Sequence, residues 1–352
     1  MGAPEQYDMT ADRFAGCLVG QALGDALGFI VEGHGPEVCA AYVESAVRPR
    51  RLTGYSRGRF AMGQYSDDSQ LARELALSFV GCGGFDPTDY AARIATLFTE
   101  NRIVGRGRTT EEAAYRIAQG CPWDKAGTPG PAAGNGSAMR AAPVGLLFAH
   151  DTNRMIQTAH DQGRITHLDR RCSAGAIAIA GAIAMVVSRG SFEVSGMCAS
   201  LAEWTRPFDS TLAAALEQLV HWRADIPDVA VTRIAPVGRE FGYSDDWEGI
   251  SPFVTPSVLW SLYSVFRSPD DYWEAICTAI AVGGDVDTTA AMAGAIAGAA
   301  VGLKGIPPEP CRLLTDQGAW GYEALLQLAA DLYALHRQLP AGVRSPGGGS
   351  VP

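Results

Sequence analysis

The sequence predicts an all-α protein. Apolar residues recur at three- and four-residue spacing through most of the chain, as on one face of a helix. Two stretches, 172–187 and 290–299, are built almost entirely of small apolar residues, as in helices packed on several sides. No two alternating runs pair as strands, and there is no internal repeat. With 352 residues and 47% hydrophobic content, the chain can bury a large core. One compact many-helix domain is expected over 10–340, followed by a Gly/Pro/Ser tail, 341–352, expected to be disordered. The net charge of −10 argues against a binder that works by neutralising phosphates, and against one that adheres to anionic membranes.

The elements follow in order. A first helix is expected from about Ala11 to Ile30, with Gly16, Gly20, Gly24 and Gly28 every fourth residue. They share one helix face, so another helix can approach closely there. Asp25 lies in this seam and needs a partner. Glu32 follows in the loop Val31–Pro36, either as a surface carboxylate or as a movable acid or base. Residues 36–65 read as irregular and Arg-rich, a solvated loop or a rim that attracts an anionic substrate. Residues 68–120 are helical, with breaks at 81–86 and 105–107. A Gly/Pro loop, 121–136, closes in Gly134-Asn135-Gly136-Ser137, whose unobstructed N–H groups suit a diphosphate, although most such turns are only turns. Thr166-His167 precedes the apolar helix 172–187. Amphipathic helices with a polar break at 205–210 fill 190–240. Residues 242–257 read as an aromatic loop (Tyr243, Trp247, Phe253), a wall on which a base can stack. Helices 269–282 and 319–338 complete the list.

The chemistry concentrates at two helix starts. Gly283-Gly284-Asp285-Val286-Asp287-Thr288-Thr289 opens the helix from 290, and Ser66-Asp67-Asp68-Ser69 opens the helix carrying Leu71, Leu75 and Phe79. The glycines permit a left-handed turn, and Thr288 or Thr289 is expected to cap the helix. An Asp at a helix start is often no more than a cap favoured by the dipole. Two such starts, each with two Asp and a hydroxyl, point instead to a hard divalent cation, Mg²⁺ or Mn²⁺ rather than zinc. Ser244-Asp245-Asp246-Trp247 has similar letters but no helix behind it and reads as a loop. There is no HExxH, P-loop, GxGxxG or GxSxG pattern. Eight scattered cysteines without CxxC read as reduced, buried thiols of a cytoplasmic protein. No secretory leader is seen at Met1–Thr10, and 174–187 is too short to span a membrane.

Gly24-Asp25-Ala26-Leu27-Gly28 with Glu32, Ser66-Asp67-Asp68, Gly134 to Arg140, Thr166-His167 and Gly283 to Thr288 stand in the order and approximate spacing of the ADP-ribosylglycohydrolase family, which this chain resembles over about 12–303. The resemblance implies a compact all-α fold with a cleft holding two Mg²⁺ ions, sometimes Mn²⁺. It implies Ser66, Asp67, Asp68, Asp285, Asp287 and Thr288 as metal ligands. Glu32 would be a mobile carboxylate, with Glu32, Asp67 or Asp68 as general acid or base. Asn135, Gly136, Ser137 and His167 would hold the diphosphate and ribose side of ADP-ribose. The implied reaction is hydrolysis at ribose C1″ of ADP-ribose attached to a protein or small molecule. A non-catalytic ADP-ribose-binding relative and a hydrolase of another ribosyl compound are the alternatives. A monomer is the expectation. Three departures from the family pattern stand out: Ser66 for the usual Thr, Val286 between the two Asp, and no acid in 102–107, which weighs against an arginine-linked substrate.

Overall fold

The computed structural model describes residues 9–189, 193–239 and 245–340. The expected tail at 341–352, and Tyr243 and Ser244, lie outside the described residues. Helices dominate: α1 (Met9–Phe29), α2 (Pro36–Tyr42), α3 (Asp67–Cys82), α4 (Pro87–Thr99), α5 (Arg108–Ala118), α6 (Trp123–Ala126), α7 (Ala142–Leu147), α8 (Thr152–Arg164) and α9 (Arg170–Arg189). They continue with α10 (Val194–Thr205), α11 (Ser210–Trp222), α12 (Pro227–Ile234), α13 (Val254–Arg267), α14 (Tyr272–Ala281), α15 (Val286–Val301), α16 (Pro308–Cys311) and α17 (Tyr322–Gln338).

The glycine seam of α1 meets α15. A Cβ on Gly16 would lie 2.2 Å from the Gly298 carbonyl oxygen, on Gly20 2.5 Å from that of Gly294, on Gly24 2.1 Å from that of Ala290, and on Gly28 2.4 Å from that of Val286. As numbers rise on α1 they fall on α15, so the helices run antiparallel with backbones in contact. Gly294 and Gly298 answer in kind: a Cβ on either would strike the carbonyl of Gly20 or Gly16. This register sets the C-terminus of α1 beside the N-terminus of α15. Around the pair stand α3, α9, α13, α14 and α17, and α9 and α13 are buried along most of their length. The α9 helix reaches 20 residues, longer than expected and long and apolar enough to cross a membrane, but 89% of its apolar window is buried inside the protein.

Several expectations need correction. Residues 36–65 are not irregular throughout: Pro36 at the first turn starts α2, and a short π-helix, Val43–Val47, continues it. A two-residue hairpin, Ser56–Arg57 with Phe60–Ala61, follows where no strand pair was foreseen. Phe253 is the N-cap of α13, so the aromatic loop ends there and the helix takes 254–257. The short α7 and the amphipathic α8 fill a stretch assigned no helix. Cys82 is exposed and Cys121 half-buried; the other six thiols are buried, and all eight are free.

The seam makes a direct prediction. Gly24→Ala drives a methyl into a backbone carbonyl and is expected to cost about 2–3 kcal/mol. In Gly81→Ala, also helical but with its nearest atom 3.7 Å away, the change is expected to be neutral or to stabilise by about 0.5–1 kcal/mol. Urea denaturation of the two variants against the parent checks the contrast.

Candidate active site

Three chain segments meet at the α1/α15 end. Asp25, fully buried one turn before the end of α1, accepts the backbone N–H of Ser66 at 2.8 Å and of Ser69 at 3.0 Å. This supplies the partner it needed and docks the N-terminus of α3 against α1. Ser66 is the N-cap of α3, accepting from Asp68 N, and its Oγ donates to Asp68 Oδ2 at 2.8 Å. Gly283 and Gly284 take φ +78° and +91°, the left-handed turn expected of them. The turn is stitched to two neighbours: Gly33 N–H donates to Gly284 O, Gly284 N–H to His34 O, and Asp285 N–H to Ile250 O at 2.7 Å. The N-cap of α15 is Asp285, so neither threonine caps the helix. Thr288 instead lines the cavity beside Asp68, its backbone N–H donating to Asp287 Oδ1 at 2.9 Å, and Thr289 Oγ1 donates to Ala279 O at 3.2 Å, tying α15 to α14.

The result is a cluster of carboxylates, all but Glu32 buried. Oxygens of Asp25, Asp68 and Asp287 lie within 4.8 Å of one another, as do those of Glu32, Asp285 and Asp287, and each group could hold a metal ion. Asp67 is in neither trio; it faces the loop at Gly105, where a Cβ would come 2.7 Å from its Oδ1. Glu32 is ion-paired with Arg57 of the hairpin, whose guanidinium also donates to Phe29 O at 2.8 Å. That loop arginine is therefore a structural partner of Glu32, a role its sequence context did not reveal. Burial, then mutual repulsion, raises these acids: Asp285 to about 8, and Asp67 and Asp287 well above the usual carboxylate range. Asp68 is also driven well up, by burial and then by Asp25, while Asp25 is pushed up to about 7 by burial alone.

The acids form one wall of a cavity of about 530 Å³. The Gly134–Gly136 turn, Met139, His167, Trp247 and the loop 105–110 line the rest. Asn135 joins the walls: its amide donates to Asp285 Oδ2 at 2.5 Å and to Ser257 Oγ at 3.0 Å. His167 stands against the turn, its Cε1 2.8 Å from where a Cβ on Gly136 would sit. Burial and then Arg140 push its imidazole down to about 3, so it is neutral. Trp247 supplies the aromatic wall. Ser137 is placed differently from the others: its Oγ donates to Cys172 O at 2.8 Å, away from the cavity. Ser66 is fully buried and does not line the cavity either. The loop carrying Asp245 and Trp247 is a loop as expected, and Asp245 pairs with Arg239.

The ADP-ribosylglycohydrolase family profile matches residues 6–341. The chain belongs to the ADP-ribosylglycohydrolase family. An uncharacterised protein of Archaeoglobus fulgidus is 31% identical over 93% of this chain and 98% of its own length. The ADP-ribosylarginine hydrolase Tri1 of Pseudomonas putida is 27% identical, covering 94% of this chain and 79% of its own. A solved structure titled ADP-ribosylglycohydrolase-related protein complex superposes with a TM-score of 0.69 at 27% identity, over 93% of this chain and 99% of that one. As a member of the family, the protein is an ADP-ribosylglycohydrolase, a hydrolase of glycosidic bonds.

The raised acids set a pH dependence in metal-free protein. A folded pKa above the unfolded one means that the native state holds extra protons between about pH 4 and about pH 8, so stability falls as pH rises through that window. In chelator, the thermal midpoint is expected to drop steadily from about pH 5 to about pH 8. A midpoint that is flat or rising over this range would contradict the raised acids.

Proposed function

We propose that this enzyme is a Mg²⁺-dependent hydrolase that releases ADP-ribose from a modified protein side chain or small molecule by cutting the bond at ribose C1″. The carrying observation is the packing of six carboxylates, Asp25, Glu32, Asp67, Asp68, Asp285 and Asp287, into one cluster, with Asp68 Oδ1 buried and without a hydrogen-bond partner. Acids in that number fit hard cations, which supply the charge that the protein withholds. Ser66, Asp67, Asp68, Asp285, Asp287 and Thr288 would hold two such ions, and Mn²⁺ suits the same oxygens. When bound, they would fix ribose hydroxyls and acidify a water.

The protein groups divide the remaining work. Glu32 is the carboxylate of the cluster paired with a cation, and its loop is pinned to the Gly283–Gly284 turn. It is the proton acceptor we assign for the attacking water, with Asp67 and Asp68 as the other candidates for acid or base. The Gly134–Gly136 turn offers unobstructed backbone, and His167 offers a neutral ring beside it, which suits a diphosphate. Trp247 offers a flat apolar face for a base. Asn135 ties this region to Asp285, so diphosphate and ribose would be held in fixed relation.

The loop 105–110 brings Arg108, and Arg106 in its ion pair with Glu111 at 2.6 Å, to the same cavity, and the lining acids are all members of the cluster. Such a surround disfavours a guanidinium leaving group, so an O-linked substrate is the reading we favour.

The test is release of free ADP-ribose from arginine-linked, serine-linked and O-acetylated substrates, each with Mg²⁺, with chelator and with Asp285→Ala. Turnover of an O-linked substrate is expected, lost in chelator and reduced at least about a hundredfold by the substitution. Release from the arginine-linked substrate alone would reverse the linkage assignment. Binding without release from any substrate would point to a non-catalytic binder, and failure to bind ADP-ribose to a hydrolase of another ribosyl compound.

A further inference from the structure

Arg140 is a fully buried guanidinium that forms no ion pair among the described residues. Its Nε donates to Gln162 Oε1 at 2.8 Å, and one terminal nitrogen donates to Gln162 O at 2.7 Å and to Thr166 Oγ1 at 2.9 Å. The ring of Tyr90 lies 5.6 Å away. Gln162 is itself anchored, its amide donating to Ser137 O at 2.9 Å. A cation this deep is costly to keep for packing alone.

The hydrogen-bond directions can be read without seeing hydrogens. A guanidinium only donates, so Thr166 Oγ1 accepts from Arg140. The hydroxyl has one proton left to give. His167 Nδ1 lies 2.7 Å away and Gly163 O 3.5 Å away, so the proton goes to Nδ1. A neutral imidazole that accepts at Nδ1 carries its own proton on Nε2. Nε2 lies 3.4 Å from the positions that a Cβ would take on Gly134 and on Gly136, and the ring lines the cavity.

We propose that Arg140 and Thr166 are positioning residues, a two-step relay that fixes His167 as the Nε2–H tautomer and so turns its ring into a donor aimed at an anionic oxygen of the ligand beside the Gly134–Gly136 turn. The relay never touches substrate. The sign of the last link is set by a residue two hydrogen bonds away, because a group that can only donate starts the chain. The ligand half of the inference rests on the ADP-ribose reading of the cleft; the tautomer half does not.

The experiment separates the two. Long-range ¹H–¹⁵N NMR of the imidazoles is recorded on the full-length protein and on Thr166→Val and Thr166→Ser. The parent and Thr166→Ser are expected to show His167 as pure Nε2–H, while Thr166→Val, which keeps the shape but has no hydroxyl, shows a mixture of tautomers. ADP-ribose binding by calorimetry is then expected to weaken about tenfold in Thr166→Val and to recover in Thr166→Ser. In turnover, KM should rise with kcat little changed, since the contact is made equally before and in the transition state. A parent His167 protonated on Nδ1, or a Thr166→Val protein that keeps the parent tautomer and affinity, overturns the proposal. If the parent does not bind ADP-ribose, the function reading fails while the tautomer result still decides the relay. Thermal melts of both variants establish that they are folded.

Discussion

The structure depends on the contact between α1 and α15. Four glycines on one helix and two on the other remove every Cβ that would hold them apart, so the backbones touch along four turns. A close contact of this kind cannot slide, because any shift of register brings side chains against backbone. It therefore fixes where the two ends come to rest. Asp25 and Glu32 arrive with α1, Asp285 and Asp287 with α15, and the register alone makes them neighbours. Through its two backbone hydrogen bonds Asp25 then adds α3, with Asp67 and Asp68. Four of the acids are thus brought together by helix packing, and the other two by hydrogen bonds to one of the four.

That division explains how so unfavourable a cluster can be maintained. The aspartates are desolvated, and several repel one another. The compensation comes from apolar burial across the whole helical assembly, with α9 and α13 buried around the central pair. The site borrows its rigidity from a core with no polar stake in it. A polar network of Gln70, Arg73 and Asp316 behind α3 adds a second support. There Arg73 donates to Asp316 at 2.7 Å, and Gln70 accepts the N–H of Val104 at 2.8 Å, holding the loop that faces Asp67.

Much of this was legible in the sequence because it rests on periodicity and on residues with restricted roles. The Gly16–Gly28 stripe announced a close helix contact, and Asp25 within it announced a buried partner. The glycines at 283–284 announced a left-handed turn. What stayed hidden depends on contacts between distant segments. Nothing local says that the stripe meets α15 rather than another helix, or that Arg57 will reach Glu32. Ser137 sits within a suggestive turn, but only the path of α9 turns its hydroxyl toward Cys172 O. Thr288 looked like a cap because hydroxyls commonly are; the N-cap is Asp285, three residues earlier, and Thr288 faces the cavity from the first turn.

Asn135 shows how the two halves of the cleft are kept in register. Its orientation follows from its partners: the Asp285 oxygen at 2.5 Å accepts, so the amide nitrogen faces it, and the second proton goes to Ser257. Both donors are spent inside the protein, which leaves the carbonyl oxygen as the group with bonding capacity to offer a ligand. The backbone of the same residue forms the turn against which His167 stands. One side chain thus links the acid cluster to the donor wall, and the distance between them is set by covalent geometry. An aspartate there would face Asp285 with a like charge, and a shorter side chain would release the turn. The position requires a neutral group of this length that donates twice on one side.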